Sequence, residues 1–195
     1  MTQAYYRQHA ASYAEATAHL EPVDALFQMR DFLAPPAYIL DAGCGSGRDS
    51  AWFRRRGYAV DSFDLCPELC EEARLRFSVP ARVASILELA DAAKYDGVWA
   101  CASLVHFNRD EACCALRNLS RALKPGGYLY FSVKEGQGES LDSLGRFYRY
   151  WSVDEIRVLL REAAPQLGFP GIWCARPSFD IEGAGFINVI SRKTS

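Results

Sequence analysis

The sequence has no excess of positive charge. Its 195 residues carry 22 Lys and Arg against 24 Asp and Glu, a net charge of -2. A basic footprint for nucleic acid and a polybasic membrane patch are therefore both missing, and neither partner is expected. No apolar run approaches the length of a membrane span. The opening residues, Met1-Thr2-Gln3-Ala4-Tyr5-Tyr6-Arg7, lack the apolar core of a signal peptide. The expectation is a cytoplasmic protein. There is no Cys-x-x-Cys pair among the seven cysteines. Their odd number and apolar settings argue for reduced thiols rather than a disulfide framework. Cys66 and Cys70 lie one helical turn apart and Cys113-Cys114 are adjacent, but with His9, His19 and His106 they match no structural zinc spacing, so no metal is expected. Internal repeats, low-complexity tracts and linkers are also missing. The length suits one domain.

What is present is an alternation. Half of the residues are apolar, enough for a sizeable core. An alanine-rich stretch from Tyr5 to Ala18 predicts a first helix, and a second runs from after Pro22 to Leu33, stopped by Pro35-Pro36. From Ala37 onward short apolar runs alternate with helical segments. Strands are expected at Tyr38–Leu40, Tyr58–Phe63, Ala81–Ala84, Gly97–Cys101, Tyr128–Val133, Gly171–Ala175 and Phe186–Ser191. Helices are expected from Gly47 to Arg56, from Pro67 to about Phe77, from the Asn108 cap to Leu123, and from a Ser152/Glu155 capping box to Ala164. Lys124-Pro125-Gly126-Gly127 reads as a hard turn. Strands alternating with helices imply crossover connections and a mainly parallel sheet, and strands apolar on both faces suit burial between helix layers.

The most informative segment is Ile39-Leu40-Asp41-Ala42-Gly43-Cys44-Gly45-Ser46-Gly47-Arg48-Asp49, which follows a strand and opens a helix. Glycines there allow a tight turn and a close backbone approach to a ligand, and the amides of a helix start favour negative or polar ligand groups. A triphosphate-binding loop needs Lys-Ser/Thr after the last glycine, but Arg48-Asp49 stands there. A dinucleotide loop spaces its glycines G-x-G-x-x-G, whereas these run G-x-G-x-G behind an acid that would repel a pyrophosphate. A plain glycine-rich turn is the structural alternative. A second acid, Asp64, ends the next strand, where a carboxylate can accept both hydroxyls of a ribose.

With these residues the chain resembles the class I S-adenosylmethionine-dependent methyltransferases over nearly its whole length. Asp41-Ala42-Gly43-Cys44-Gly45-Ser46-Gly47 is similar to their first motif, and Asp64 falls at their ribose acid. Tyr95-Asp96-Gly97-Val98-Trp99-Ala100-Cys101 resembles the fourth-strand motif, and Leu123-Lys124-Pro125-Gly126-Gly127 resembles the run before the fifth strand. Four motifs in order are more specific than any one. Gly47-Arg48-Asp49 looks like the branch that includes tellurite-resistance and other small-molecule methyltransferases. The resemblance implies a single Rossmann-like doubly wound α/β domain over 1–195. Its sheet would be seven-stranded and mostly parallel with an antiparallel last strand, with helices on both faces. Residues 1–36 would form a helical lid over a core at 37–195.

The same resemblance implies a site for S-adenosylmethionine, released as S-adenosylhomocysteine. Gly43 and Gly45 would pass the methionine part, Asp41 would hold its amino group, Asp64 would take the ribose and Leu65 would pack on adenine. Ile86 and Leu87 would flank the adenine, with Glu88 as the nearest acid. Cys101 and Ala102 would line the methionine side, Arg48 and Asp49 would reach the carboxylate or Tyr13, and Tyr5, Tyr6 and Tyr13 look like a lid. Simple packing of an amphipathic helix is the alternative for these tyrosines.

Methyl transfer depends mainly on alignment and exclusion of water, and needs a base only for a protonated nucleophile. His106 is the base candidate, with a structural hydrogen bond as its alternative role. Lys134, Arg146 and Tyr148, on a glycine-containing segment, join Tyr6 and His106 as substrate candidates that could clamp a planar or anionic molecule. An ordinary solvated loop running into a helix start is the other reading of that segment. The expected function is methylation of a small-molecule acceptor, since the chain has little room for a recognition module and no Asn-Pro-Pro-Tyr or Asp-Pro-Pro-Tyr tetrapeptide of amino-DNA methylation. The alternatives are a methyltransferase acting on RNA or protein, and a non-catalytic cofactor-binding regulator.

Overall fold

The computed structural model describes residues 2–168, 171–175 and 185–194. In chain order the first elements are α1 (Thr2–Thr17), α2 (Val23–Phe32), β1 (Tyr38–Ala42), α3 (Arg48–Arg54), β2 (Ala59–Asp64), α4 (Pro67–Phe77), β3 (Arg82–Val83) and β4 (Tyr95–Ala100). There follow α5 (Arg109–Ala122), β5 (Leu123–Glu135), β6 (Glu139–Leu141), β7 (Phe147–Trp151), α6 (Val153–Ala163), β8 (Gly171–Ala175) and β9 (Phe186–Arg192). Strands β3-β2-β1-β4-β5 lie side by side and parallel, and β9 runs antiparallel to both β5 and β8. This is the mostly parallel sheet with an antiparallel last strand that the resemblance implies, but among the described residues it has nine strands instead of the expected seven, because β6 and β7 are added beyond β5.

Alternate residues of the central strands feed two cores. Ile39, Trp99 and Tyr130 meet Leu26 and Met29 of α2 and Trp52 and Phe53 of α3 on one face. Leu40, Val98 and Leu129 meet Leu116 and Leu119 of α5 and Ile156 and Leu159 of α6 on the other. Both faces are covered, which is why these strands are apolar throughout. The helix starts follow local chemistry. Pro67 occupies the first turn of α4, and Asn108 with Glu111 and Ser152 with Glu155 each close a reciprocal capping box. The first helix begins earlier than expected and breaks at His9 (φ -119, ψ 16). It packs on α4 through Ala10 against Cys66 and Leu69, fastened by Arg76 to Glu15 at 2.6 Å.

Two expectations are corrected. Lys124-Pro125-Gly126-Gly127 is a bulge within β5 rather than a turn before it. Tyr95 pairs with Leu123 and Gly97 with Tyr128, so the extra residues lie between two paired positions. The ladder closes around them through Gly126 N–H to Lys193 O and Lys193 N–H to Gly127 O. Second, the segment expected to be a loop running into a helix start is the hairpin β6–β7, whose turn is tied by Leu144 and Arg146 amides donating to Asp142 Oδ1. A run of aromatic residues, Phe147-Tyr148-Arg149-Tyr150-Trp151, suits a strand, and Tyr148 and Trp151 are buried. Beyond the end of β4, β5 pairs with β7 at Lys134–Tyr150 and Glu135–Trp151. Among the described residues no helix is long and apolar enough to cross a membrane.

Candidate functional site

The C-terminal ends of the parallel strands surround a cleft of about 800 Å³ with α1 as part of its wall, within the usual range for small-molecule sites. Open α/β sheets bind ligands at this end because loops diverge there and helix N-termini point into the gap. Tyr13, Asp41, Gly43, Gly45, Arg48, Asp49, Asp64, Leu65, Ile86, Leu87, Cys101 and Ala102 all line it.

The glycine-rich turn is held by its neighbour strand. The amides of Gly43 and Cys44 both donate to Phe63 O at 2.9 Å. Gly43 has φ +79, and a Cβ there would fall 2.5 Å from Ser103 Cβ, so the turn after β4 packs directly on its backbone. Gly45, at φ +54, has nothing within 4 Å of an added Cβ. Its backbone conformation rather than crowding calls for glycine. The Gly45 amide does not face a ligand, because it donates to Asp64 Oδ2 at 2.8 Å.

Asp64 therefore braces the glycine-rich turn. Cys66 N–H donates to its Oδ1 at 2.9 Å, so each carboxylate oxygen has one backbone donor and one lone pair still to use. Burial pushes its pKa up, and those backbone bonds pull it back. Asp41 is 2 % exposed. It accepts from Ser50 Oγ at 2.5 Å, and that hydroxyl lies 2.7 Å from Ser62 Oγ. Burial first, and then the Asp49 carboxylate nearby, raise Asp41 to a pKa of about 8. Asp49 is tied up on both oxygens, by Arg48 Nε at 2.7 Å and by the Trp99 indole N–H at 2.9 Å. Arg48 also donates to Thr17 O at 3.2 Å, linking the glycine-rich turn to the end of α1. Ala102 takes φ +51 just past β4, with its amide donated to Ser132 Oγ at 2.8 Å. A non-glycine residue in that region is the kind of strain that collects at ligand sites.

Tyr6 and His106 form the cleft wall on the α1 side. His106 lies in a short 3₁₀ turn, Leu104–His106. Its Nδ1 meets Phe147 O at 2.6 Å. A carbonyl only accepts, so Nδ1 carries the hydrogen and Nε2 is the acceptor, taking the Tyr6 hydroxyl at 2.8 Å. Burial lowers the His106 pKa to about 4, which keeps the ring neutral at pH 7. The other substrate candidates stand behind this pair. Tyr148 packs on the His106 ring at 4.6 Å, and Lys134, 7 % exposed, lies over the Tyr148 ring. Arg146 is paired with Asp142 at 2.7 Å and sits over Tyr5. Lys134, Arg146 and Tyr148 are not among the lining residues, so the expected clamp of exposed cations is not formed. These residues instead buttress the wall, because buried cations seek local acids and ring faces.

The side of the cleft formed by Leu65, Ile86 and Leu87 holds residues that sequence reasoning missed. Ser85, Phe107 and Glu111 line the cleft with Leu65, Ile86 and Leu87, whereas Glu88 does not. Asn118 fixes this wall by donating to the carbonyls of Ile86 and Leu87, both at 3.0 Å. On the opposite side Trp173, Phe186 and Asn188 of β8 and β9 reach the same cleft. Only the capping signal at Asn108–Glu111 pointed toward any of these positions. Among the described residues no group of three or more His, Cys, Asp or Glu is placed to hold a metal ion.

Comparison with known proteins agrees with this geometry. A family model described as a methyltransferase domain matches residues 39–127. The ubiquinone biosynthesis O-methyltransferase of Xanthomonas campestris pv. campestris is 34% identical over 132 residues, 61% of this chain and 54% of that protein. The malonyl-(acyl-carrier protein) O-methyltransferase of Enterobacter lignolyticus is 34% identical over 134 residues, 65% of this chain and 51% of that one. The chain thus spans about half the length of the curated relatives it matches. Among solved structures, the Burkholderia thailandensis 1,6-didemethyltoxoflavin-N1-methyltransferase with bound 1,6-didemethyltoxoflavin and S-adenosylhomocysteine is similar at a TM-score of 0.79. It is 26% identical, over 99% of this chain and 87% of that one.

Proposed function

We propose that this chain, whose residues 39–127 match a methyltransferase-domain model and whose nearly whole length resembles a methyltransferase structure with bound S-adenosylhomocysteine, is a class I S-adenosylmethionine-dependent methyltransferase that methylates a small-molecule acceptor. The observation that carries this reading is Asp64. Both of its oxygens are anchored by backbone amides, and each keeps a lone pair for one of two adjacent ribose hydroxyls. Residues 1–36 act as the lid of a core at 37–195 in a single domain. The working compartment is the cytoplasm, in keeping with seven free cysteines.

S-adenosylmethionine, when bound, supplies a methyl group on a positively charged sulfur, so transfer breaks one C–S bond, forms one bond to the acceptor and leaves a neutral thioether. The protein's part is to bind, align and keep out water. Asp64 takes the ribose, Leu65, Ile86, Leu87 and Phe107 enclose the adenine, and Asp41 accepts the amino group. Tyr6 and Tyr13, ring against ring at 5.1 Å, close the α1 side. His106 Nε2 receives the acceptor's proton by way of the Tyr6 hydroxyl that now donates to it. A base with a pKa of about 4 suits a nucleophile that becomes strongly acidic as it is methylated.

Calorimetric titration with S-adenosylmethionine, S-adenosylhomocysteine and NADH tests the reading. Micromolar binding of the two sulfur nucleosides is expected, weakened about a hundredfold in Asp64→Ala, where two hydrogen bonds to a charged group are lost. Binding of NADH alone would sink the proposal and point to an oxidoreductase.

A further inference from the structure

The cleft has a part that the cofactor assignment leaves over. It is lined by Trp173, Tyr130 and Phe186 from the sheet and by Leu20, Pro22 and Val23 from the α1–α2 link and the start of α2. The Tyr130 ring is held in place, stacked on Trp99 at 4.0 Å with its hydroxyl donating to Asn188 Oδ1 at 2.8 Å. Trp173 stands beside it at 6.3 Å. Rigid aromatic faces favour a planar apolar partner.

The charges around the cleft are one-sided. Its lining includes the carboxylates of Glu21, Asp24, Asp41, Asp49, Asp64 and Glu111, and Arg48 is the one Lys or Arg among the described lining residues. That guanidinium is already satisfied by Asp49 and Thr17 O. Asp41 and Asp64 serve the cofactor, and Glu111 caps α5. Glu21 and Asp24 remain on the leftover part, and among the described residues the Glu21 carboxylate pairs with Arg55, at 3.8 Å between exposed side chains. The cations expected to clamp an anion are turned elsewhere, Arg146 onto Asp142 and Lys134 onto Tyr148. An anionic group entering here would leave water for a field of its own sign, with no described cation free to receive it.

Building on the methyltransferase reading, we infer that the acceptor is a flat, apolar ring compound that is neutral or cationic, and that this lobe excludes carboxylate and phosphate groups.

The test uses the whole protein saturated with S-adenosylhomocysteine and three probes with one ring: indole-3-acetate, indole-3-acetamide and tryptamine. Dissociation constants are measured by NMR titration at low and high salt. The amide and the amine are expected to bind, with the acetate at least tenfold weaker. Salt, or the Glu21→Gln/Asp24→Asn pair, should narrow that gap. Trp173→Ala should weaken all three probes without changing S-adenosylhomocysteine affinity. Acetate binding as tight as the amide overturns the charge argument, and failure of all three rings to bind overturns the aromatic lobe. If S-adenosylhomocysteine itself does not bind, the methyltransferase reading fails first, in calorimetry before any ring is added, and this inference falls with it.

Discussion

Asp41 allows a sharp experiment, because its burial and its proposed partner pull in opposite directions. With a pKa of about 8, it is mainly protonated in the free protein at pH 7, and only about a tenth of the molecules carry the carboxylate. A ligand ammonium prefers the ionised form. Binding must then drive off a proton, and the apparent affinity scales with the ionised fraction. Affinity should rise as pH climbs from 6 to 8 and level off above 8. The gain approaches tenfold per unit, so the full interval is worth at most about a hundredfold, or roughly 2.7 kcal/mol. The assay is calorimetry with S-adenosylhomocysteine at pH 6, 7, 8 and 9, repeated in buffers of different ionisation enthalpy to count protons released. In 5′-methylthioadenosine the nucleoside is kept and the amino group is gone, so its affinity should be flat with pH. Asp41→Asn should abolish the slope and the Asp41 proton release while leaving methylthioadenosine binding unchanged. An affinity that is level from pH 6 to 8, or a slope that survives in Asp41→Asn, would refute the assignment of Asp41 to the amino group.

Other perturbations follow from single contacts. Gly43→Ala forces a Cβ to within 2.5 Å of Ser103 Cβ at φ +79, and should cost about 1–3 kcal/mol in urea denaturation; a neutral result would mean that the β4 turn does not rest on this backbone. Trp99→Phe removes the donor to Asp49 Oδ2 in a buried setting, and should lower stability by about 1–3 kcal/mol, with Trp99→His as a donor-retaining comparison. The His106 pKa is depressed in the fold, from 6.5 to about 4, so between those values the unfolded chain binds more protons than the folded one. Stability is then full above pH 6.5 and falls by at most about 3 kcal/mol as pH drops to 4. His106→Gln should flatten that part of the acid-unfolding profile, and Tyr6→Phe should shift the imidazole resonances seen by NMR.

Much of the fold was legible because its signals are local. Pro67 at a helix start, Asn108 with Glu111, and Ser152 with Glu155 each act within one turn of chain, and the structure uses all three as the spacing implies. Asp41, Gly43, Gly45 and Asp64 were legible for a related reason: strand ends in a parallel sheet converge on one edge, so motifs at successive strand ends meet. The errors occur where a distant partner decides. Lys124-Pro125-Gly126-Gly127 has every mark of a turn, but the backbone of Lys193, just past β9, captures it into the ladder. Arg146 and Lys134 were read as substrate candidates because a sequence shows charge without its surroundings; in the fold Arg146 pairs with Asp142 and Lys134 lies over the Tyr148 ring. Phe107, Trp173 and Asn188 come to the cleft from elements far apart in the chain, and no local pattern marks them.

The cleft also combines two groups that burial drives the same way. Asp41 is pushed up and His106 down, so each takes its neutral form at pH 7, and desolvation is the leading cause for both. An acid and a base held neutral cost the fold less than two buried charges would. Each is then poised to become charged only when a ligand compensates it. Under the proposed function an arriving ammonium would draw Asp41 into its ionised form, and a departing acceptor proton would charge His106, whose Nδ1 donates to the Phe147 carbonyl. Asp49 shows the contrast. It is buried like Asp41, but Arg48 supplies a standing counter-charge and Trp99 a second donor, so its charge is compensated without a ligand and it serves to set the cleft wall. On this reasoning Asp49→Asn should lower stability and, by removing a charge that helps to raise Asp41, move the pH dependence of cofactor binding to lower pH without abolishing its slope, whereas Asp41→Asn should abolish the slope. Measuring both variants by urea denaturation and by the pH series above separates bracing from binding, and equal effects of the two substitutions on the slope would show that the division of labour between the two acids is wrong.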